Sequence, residues 1–305
     1  MSPTSRPAAV LIVNPNAGRL AHKERADVVA ALATRFDLRT LFTTARDTGT
    51  ELAAAAVEDG VSLIIAFGGD GHVNEVVNGV AGSAATVGIV PGGTMNVFAR
   101  SLGIPLDPLE ATEHLVAALG RPPRWVPLGL MDDRYFTFAA GCGFDAEAAA
   151  LVDRDIRSKR RFGELFFYWS ALRVLATTYR HRSATMTLRG PFGETRVAMA
   201  IACNSGPYAY LAGRPVNIAP DVRLDAGLDV FALTTMRVEA LPFYFWRVAV
   251  SGDLIHHADA FYRTDLTSFE IEGDRPFPRH VDGEPLEPAT SARFSMVPAA
   301  IRIRA

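Results

Sequence analysis

The chain has 305 residues, which is long enough for two hydrophobic cores because single cores stop growing at about 250–300 residues. Its formal net charge of −2 gives no overall basic field, so nucleic acid is not expected as a partner. The two cysteines, Cys142 and Cys203, lie in no metal-ligand or CxxC spacing, which excludes a disulfide framework and fits a reducing cytoplasm. Because no stretch approaches the ~18 uncharged apolar residues of a membrane span, we expect a cytoplasmic protein that meets a membrane only peripherally.

The first 122 residues alternate between short apolar runs and helix-like stretches, a pattern typical of βαβ units. Strands that are apolar on both faces belong to a parallel sheet covered by helices. The sequence therefore predicts an α/β domain over residues 1–122. Its predicted strands are 9–13, 38–42, 63–67 and 86–90, and its predicted helices are about 22–35, 48–58, 72–80 and one that opens near 95.

After residue 122 strand-like stretches dominate, which predicts a second, mostly antiparallel domain over residues 123–291. The glycine-rich segment 190–193 is typical of a hairpin turn. The alternating stretch at the end predicts a strand within 292–305, and its return to the first domain is left open. The predicted strands are 125–131, 135–140, 184–189, 197–203, 228–233 and 268–271, with helices at 162–179 and 238–250.

Three loops follow predicted strands of the first domain and precede helices: residues 14–18, 68–71 and 91–94. Ligands of open parallel sheets bind at the carboxyl ends of the strands. Glycine lets the backbone approach a phosphate, and the N-terminus of the next helix supplies N–H donors. A single loop of this kind is usually only a tight turn, whereas three that converge at one sheet edge predict a phosphate site.

Asp70 lies between glycines in the second loop, where its charge would repel a phosphate unless a cation lies between them. Mg²⁺ bound to a nucleotide is the simplest explanation, and the alternative is that Asp70 caps the next helix. The motifs GxxxxGK[ST] and GxGxxG do not occur, so the chain is neither a standard P-loop nucleotidase nor a standard dinucleotide dehydrogenase.

Four motifs resemble those of the diacylglycerol kinase catalytic-domain family, which includes bacterial lipid kinases, sphingosine kinases and ceramide kinases. They are NPNAGR (14–19), GGDGHVNEVVNG (68–79), PGGTMNVFAR (91–100) and VDGE (281–284). The resemblance implies an N-terminal three-layer α/β domain like that of phosphofructokinase and NAD kinase, followed by a C-terminal β-sandwich domain. It also implies ATP and Mg²⁺ as cofactors and a lipid alcohol, most simply diacylglycerol-like, as the acceptor.

By matched position, the resemblance gives Asp282 the role of general base and places Glu284 against the nucleotide. Asp70 and Asp282 are the candidate catalytic residues, and metal ligands remain unassigned. A carboxylate in a shielded site can take the proton of a lipid alcohol, although the pair Asp282–Gly283 is also a strong signal for a type I′ hairpin turn. The remaining residues that would line the nucleotide site are Asn14, Asn16, Gly18, Thr44, Gly68, Gly69, Asp70, Gly71, His72, Asn74 and Thr94.

Three positions depart from the family pattern. His72 stands where Thr is usual, and Val97 stands where many diacylglycerol kinases have Asp, which leaves the lipid open. Ala226 replaces the Asp that helps to hold a structural Mg²⁺, so that metal site is not predicted here.

An aromatic stretch over residues 162–175 follows a basic run over 154–161, and such a pair can lie on an anionic membrane. The alternative is a helix packed on the second sheet. A second aromatic stretch, 241–248, is interpreted as core. As functions, a sphingoid or ceramide kinase, an NAD kinase-like enzyme and a catalytically inactive regulator stay open, and so does a homodimer.

Overall fold

The structure is a computed structural model that describes residues 6–17, 22–144, 146–147, 184–211, 214–235, 243–244, 247 and 254–305. It divides into two compact units, with unit 1 comprising the chain to Pro127 together with Pro298–Ala305, and unit 2 comprising Leu128–Val297. These boundaries lie a few residues beyond the predicted 122 and 291. The predicted helix at 162–179 lies outside the described residues, as does most of the one at 238–250. No helix in the described part of the chain is long and apolar enough to cross a membrane.

Unit 1 is built on a parallel sheet with the strand order β4-β3-β1-β2. At its β4 side, Arg302 and Ile303 of the last strand pair in parallel with Thr86 and Val87, so the C-terminal segment belongs to this sheet. The elements of unit 1 are β1 (Ala8–Val13), α1 (His22–Ala33), β2 (Asp37–Phe42), α2 (Thr48–Glu58), β3 (Leu63–Gly68), α3 (Asp70–Val80), β4 (Thr86–Pro91), α4 (Val97–Ser101) and α5 (Pro108–Ala117).

The apolar runs form the middle of this sheet, as the sequence predicts. Every residue of β3 and β4 is buried, because helices cover both faces. One core contains Leu11, Ile65 and Phe67 of the sheet with Leu32 of α1 and Leu115 of α5. The other helices, α2 and α3, approach each other closely at Gly79, where a Cβ would lie 2.4 Å from the carbonyl oxygen of Thr50. Only glycine permits that helix contact.

Unit 2 is mostly antiparallel, and its strand pairs follow the order β14-β13-β10-β7-β15-β16, with β8 and β9 paired beside β15. The hairpin at residues 190–193 is confirmed, since Gly190 pairs with Gly193. The strands of unit 2 are β5 (Arg124–Met131), β6 (Arg134–Phe136), β7 (Ala139–Gly143), β8 (Met186–Gly190), β9 (Gly193–Val197), β10 (Met199–Cys203), β11 (Ala209–Leu211), β12 (Arg214–Val216), β13 (Leu228–Leu233), β14 (Ala260–Leu266), β15 (Ser268–Val281) and β16 (Glu284–Ile303). Of these, β5 and β16 extend into unit 1.

Phenylalanines fill the core of unit 2. Phe269 and Phe294 stack with their ring centroids 4.7 Å apart, and Phe136 meets Phe294 edge-on at 6.5 Å. Gly129 lies directly over the Phe136 ring, where a Cβ would come within 2.1 Å of a ring carbon. The strand β15 bends at irregularities between Glu272 and Phe277, which lets it pair with β8 along its first half and with β7 along its second.

Candidate functional site

Four loops of unit 1 meet at the carboxyl ends of its parallel strands. Backbone hydrogen bonds continue the sheet ladder one residue beyond each strand, which holds the loops side by side. We call this region, residues 14–17, 43–47, 69–71 and 92–94, the loop edge. The bonds run from Thr43 N to Val13 O (3.0 Å), from Asn14 N to Phe67 O (3.0 Å) and from Gly92 N to Gly68 O (2.8 Å).

Two glycines bring the loops after β3 and β4 into backbone contact. A Cβ on Gly93 would lie 2.6 Å from the Cα of Gly69, so a side chain at Gly93 would force the loops apart. The Asn96 side chain also holds Gly93, because its Oδ1 accepts from Gly93 N and its Nδ2 donates to Gly93 O, both at 2.9 Å. Asn96 adopts a left-handed backbone conformation with φ of 48°. Asn96 belongs to the motif at residues 91–100, but the motif alone does not predict this role.

Asp70 is the first residue of α3, and Gly69 is the N-cap, which offers no side-chain cap. The alternative that Asp70 caps its own helix is therefore not what the structure shows. Its Oδ1 instead accepts a long hydrogen bond of 3.4 Å from the backbone N–H of Phe98 in α4. The carboxylate is partly buried at the loop edge. A carboxylate at the start of a helix is one of the oxygen ligands that Mg²⁺ uses together with nucleotide phosphates, so Asp70 would fit the cation that the sequence predicts.

The Glu75 carboxylate occupies the start of α2. It accepts hydrogen bonds from the backbone N–H groups of Asp47 and Gly49, each at 2.9 Å. A negative charge is stabilised at that end of a helix, and it occupies donors that a phosphate would need. A Cβ on Gly49 would lie 2.5 Å from Glu75 Oε2, so a side chain there would displace this carboxylate.

Two predicted nucleotide ligands are buried in unit 1. The Nε2 of His72 hydrogen-bonds to the carbonyl oxygen of Ile12 at 2.9 Å, and burial lowers the pKa of His72 to about 4 although this bond opposes the shift. The ring is therefore neutral near pH 7, Nε2 donates to Ile12, and the side chain has no N–H left for a phosphate. Asn74 is buried as well, and both its Oδ1 and its carbonyl oxygen accept from Nδ2 of Asn78.

The other predicted ligands differ in exposure. Asn16, Thr44 and Thr94 are exposed at the loop edge, and Asn14 is partly buried. The Oδ1 of Asn14 accepts from Asn16 N at 2.9 Å, which closes the turn after β1. Gly18 lies outside the described residues.

The pair Asp282–Gly283 forms the two-residue turn between β15 and β16 in unit 2. Both residues have positive φ, 49° and 81°, and Val281 pairs with Glu284, as a type I′ turn requires. The Asp282 carboxylate is buried and accepts from the backbone N–H groups of residues 137, 138 and 139 and from the hydroxyl of Thr137, at 2.7–3.0 Å. Burial raises the pKa of the Asp282 carboxyl above its usual range, and these four hydrogen bonds oppose the rise.

Other polar groups hold the segment that binds Asp282. The Thr137 carbonyl oxygen accepts from Asn204 Nδ2 at 3.0 Å and from Ser205 Oγ at 3.1 Å. Glu284, which follows the turn, lies 3.8 Å from the guanidinium of Arg134 and is partly buried. The partners of Asp282 and Glu284 lie in the segment 134–139, more than 140 residues earlier in the chain, and could not be found from local sequence.

Comparison with known proteins identifies the family. Residues 8–124 match the diacylglycerol kinase catalytic domain, and residues 139–305 match the YegS C-terminal NAD kinase β-sandwich-like domain. The chain belongs to the diacylglycerol kinase family of lipid kinases. It is 32% identical to a protein named probable lipid kinase YegS-like from Chromohalobacter salexigens, over 78% of this chain and 74% of that protein. It is 30% identical to a diacylglycerol kinase of Bacillus subtilis, over 90% and 89% of the two chains.

Solved structures agree with this assignment. A diacylglycerol kinase from Bacillus anthracis str. Sterne superposes with a TM-score of 0.74 at 25% identity, covering 99% of this chain and 98% of that one. An NAD kinase from Archaeoglobus fulgidus in complex with ATP gives a TM-score of 0.54 at 10% identity, over 97% and 93%. The predicted fold class, an NAD kinase-like α/β domain followed by a β-sandwich domain, is confirmed.

Hydrogen bonds connect the residues around Ala226, where the sequence predicts no structural Mg²⁺. The backbone N–H of Gly227 donates to Asp265 Oδ1 at 2.8 Å. The buried Asp229 accepts from the Tyr262 hydroxyl at 2.6 Å and from Asp265 N at 3.1 Å. Within the described residues, no group of three or more His, Cys, Asp or Glu side chains is placed to hold a metal ion. Protein hydrogen bonds hold this segment.

Proposed function

We propose that this member of the diacylglycerol kinase family transfers the γ-phosphoryl group of ATP, as its Mg²⁺ complex, to the hydroxyl of a diacylglycerol-like lipid. The observation that supports this most directly is the backbone contact between Gly69 and Gly93 at the loop edge, next to a helix start that has no side-chain cap. Backbone N–H groups without side chains in front of them are what a triphosphate needs. A lipid acceptor also implies transient contact with a membrane surface.

In this proposal the loop edge binds the nucleotide and Asp70 holds Mg²⁺. Phosphoryl transfer depends mainly on positioning and charge neutralisation, and the bound cation would neutralise charge on the β- and γ-phosphates. Glu75 directs the phosphates to α3 by occupying the start of α2. The loop edge would also contact the nucleotide through the polar side chains of Asn14, Asn16, Thr44 and Thr94.

Asp282 is the proposed general base that takes the proton of the lipid hydroxyl. Its raised pKa suits this role, because a base works best when its pKa approaches the working pH. The four hydrogen bonds fill all of the roughly four acceptor positions of a carboxylate. A substrate hydroxyl can therefore be accepted when the Thr137 hydroxyl, the one rotatable donor of the four, turns away from Oδ2.

The test is phosphate transfer from ATP, with Mg²⁺, to a panel of detergent-solubilised acceptors: diacylglycerol, monoacylglycerol, sphingosine, ceramide and, as a control, NAD. We expect a phosphorylated glycerolipid. Transfer to sphingosine or ceramide alone would show that the acceptor is one of these lipids instead of a diacylglycerol, and the reaction class would stay the same. Transfer to NAD alone would refute lipid kinase activity, and ATP binding with no transfer to any acceptor would favour an inactive regulator.

A further inference from the structure

Four large apolar side chains are exposed in the described part of the chain, and two of them are covered by arginines. They are Phe42 (54% exposed), Leu109 (39%), Trp125 (48%) and Phe243 (42%). The Arg302 guanidinium lies 4.6 Å from the Trp125 ring centroid, and that of Arg247 lies 4.8 Å from the Phe243 ring. No ring or guanidinium of the described residues packs on Phe42 in this way, so an aromatic face is left open to solvent.

Phe42 lies at the carboxyl end of β2, one residue before the loop edge. It is the last residue of β2 and the register partner of Val13, the last residue of β1. Residues paired in neighbouring parallel strands point to the same face, and the next residue, Thr43, donates from its backbone to the Val13 carbonyl oxygen at 3.0 Å. Phe42 therefore lies on the same face of the sheet as Val13, in register with the strand end that precedes the turn at Asn14, and two residues before Thr44 in the chain.

The distance from the loops after β3 and β4 to Phe42 suits the length of a nucleotide. Phosphates bound where the loops after β3 and β4 touch would lie two to three strand spacings from β2, which is about 10–14 Å. A nucleotide lying along the carboxyl ends of the strands would carry its ribose past β1 and its base to β2. The loop after Phe42 is also fixed in advance, because Glu75 accepts from Asp47 N and Gly49 N. A rigid platform loses little entropy when a ring stacks on it.

We propose that Phe42 is the platform on which the base of the bound ATP stacks. The proposal rests on the proposed function, in which ATP is the phosphoryl donor. Phe42 would be a positioning and affinity residue for the nucleoside. Every nucleobase has a π-face, so stacking on Phe42 favours a nucleoside triphosphate over a bare triphosphate and leaves the choice among bases to other contacts.

The test compares Mg²⁺-ATP with Mg²⁺-tripolyphosphate, which has the phosphates and no base, by calorimetric titration of the full chain. We expect Phe42→Ala to weaken ATP binding about 5- to 10-fold, the low end for a base stacked on an aromatic ring, and to leave tripolyphosphate binding unchanged. Phe42→Trp should retain ATP affinity. Leu109→Ala, another exposed apolar side chain of unit 1, is the matched control and should change neither titration.

In turnover assays, Phe42→Ala should raise the KM for ATP and leave kcat unchanged. The inference is overturned if Phe42→Ala leaves ATP affinity unchanged, or if it weakens ATP and tripolyphosphate equally. These results separate from those on the proposed function, because base-dependent loss of ATP affinity without any acceptor turnover would support the platform and refute the kinase. Normal phosphate transfer to a lipid, with a KM for ATP that Phe42→Ala leaves unchanged, would support the kinase and refute the platform.

Discussion

Replacing Asp282 with Asn tests both the buried hydrogen-bond cluster and the proposed base. The amide keeps one acceptor oxygen, and its NH₂ group must face backbone N–H donors that the carboxylate now satisfies. The least costly orientation points the NH₂ group at Thr137, whose hydroxyl can turn to accept, and leaves one buried N–H unsatisfied. That costs about 1–3 kcal/mol, and the loss of charge in the remaining bonds brings the total to about 2–4 kcal/mol.

The assay pairs thermal unfolding with kinetics at a temperature where the variant stays folded. A loss of about 2–4 kcal/mol corresponds to a fall of about 5–15 °C in Tm for a unit of this size. Loss of the base should lower kcat about 10²- to 10⁴-fold, while ATP affinity stays nearly unchanged. An unchanged kcat would remove Asp282 as the base, and an unchanged Tm would refute the account of its four hydrogen bonds.

The pH dependence provides a second readout of the same site. Because burial raises the pKa of the Asp282 carboxyl, kcat should begin to fall at a higher pH than the pH at which an ordinary aspartate takes up its proton. Thr137→Val removes one hydrogen bond that lowers this pKa, so the acid limb should move to higher pH, whereas Thr137→Ser should restore it. The stability of the protein should change with pH in the opposite direction to kcat. The native state binds the Asp282 proton more tightly than the unfolded state, so the contribution of Asp282 to the free energy of unfolding weakens as pH rises through its native pKa.

Three further predictions concern unit 1. Gly93→Ala should raise the KM for ATP at least about ten-fold because the loops must separate, whereas Gly120→Ala, which has open space around it, should be neutral. Glu75→Gln should lower the Tm by an amount equivalent to about 1–3 kcal/mol, since its NH₂ group would face a backbone donor of α2; an unchanged melt would contradict the capping role. Because His72 is buried neutral with its pKa lowered to about 4, stability should fall as pH drops from 6.5 to 4, and the His72→Thr variant should show a smaller fall in Tm between pH 7 and pH 5.

The sequence by itself determined the parallel sheet of unit 1 and the position of its loops. Unbroken apolar runs such as residues 63–67 can only be buried strands, and the glycines that follow them mark where each strand must stop. The helix at Thr48–Glu58 and the strand at Leu228–Leu233 have the predicted bounds. The lengths of long strands were underestimated from the sequence. The strand β15 extends to Val281 instead of residue 271, because polar residues and prolines at its bend interrupt the alternation of apolar and polar residues that marks a strand.

Only the tertiary structure decided what the polar side chains of the motifs do. Glu75 binds the start of a helix 26–28 residues earlier in the chain, and Asp282 binds donors 143–145 residues away. His72 and Asn74 carry the signature of a phosphate loop, yet α3 turns them into the interior. Helical and strand periodicity report which residues are buried on average. Which donor meets a given carboxylate depends on contacts between segments that lie far apart in the chain, and no local pattern records them.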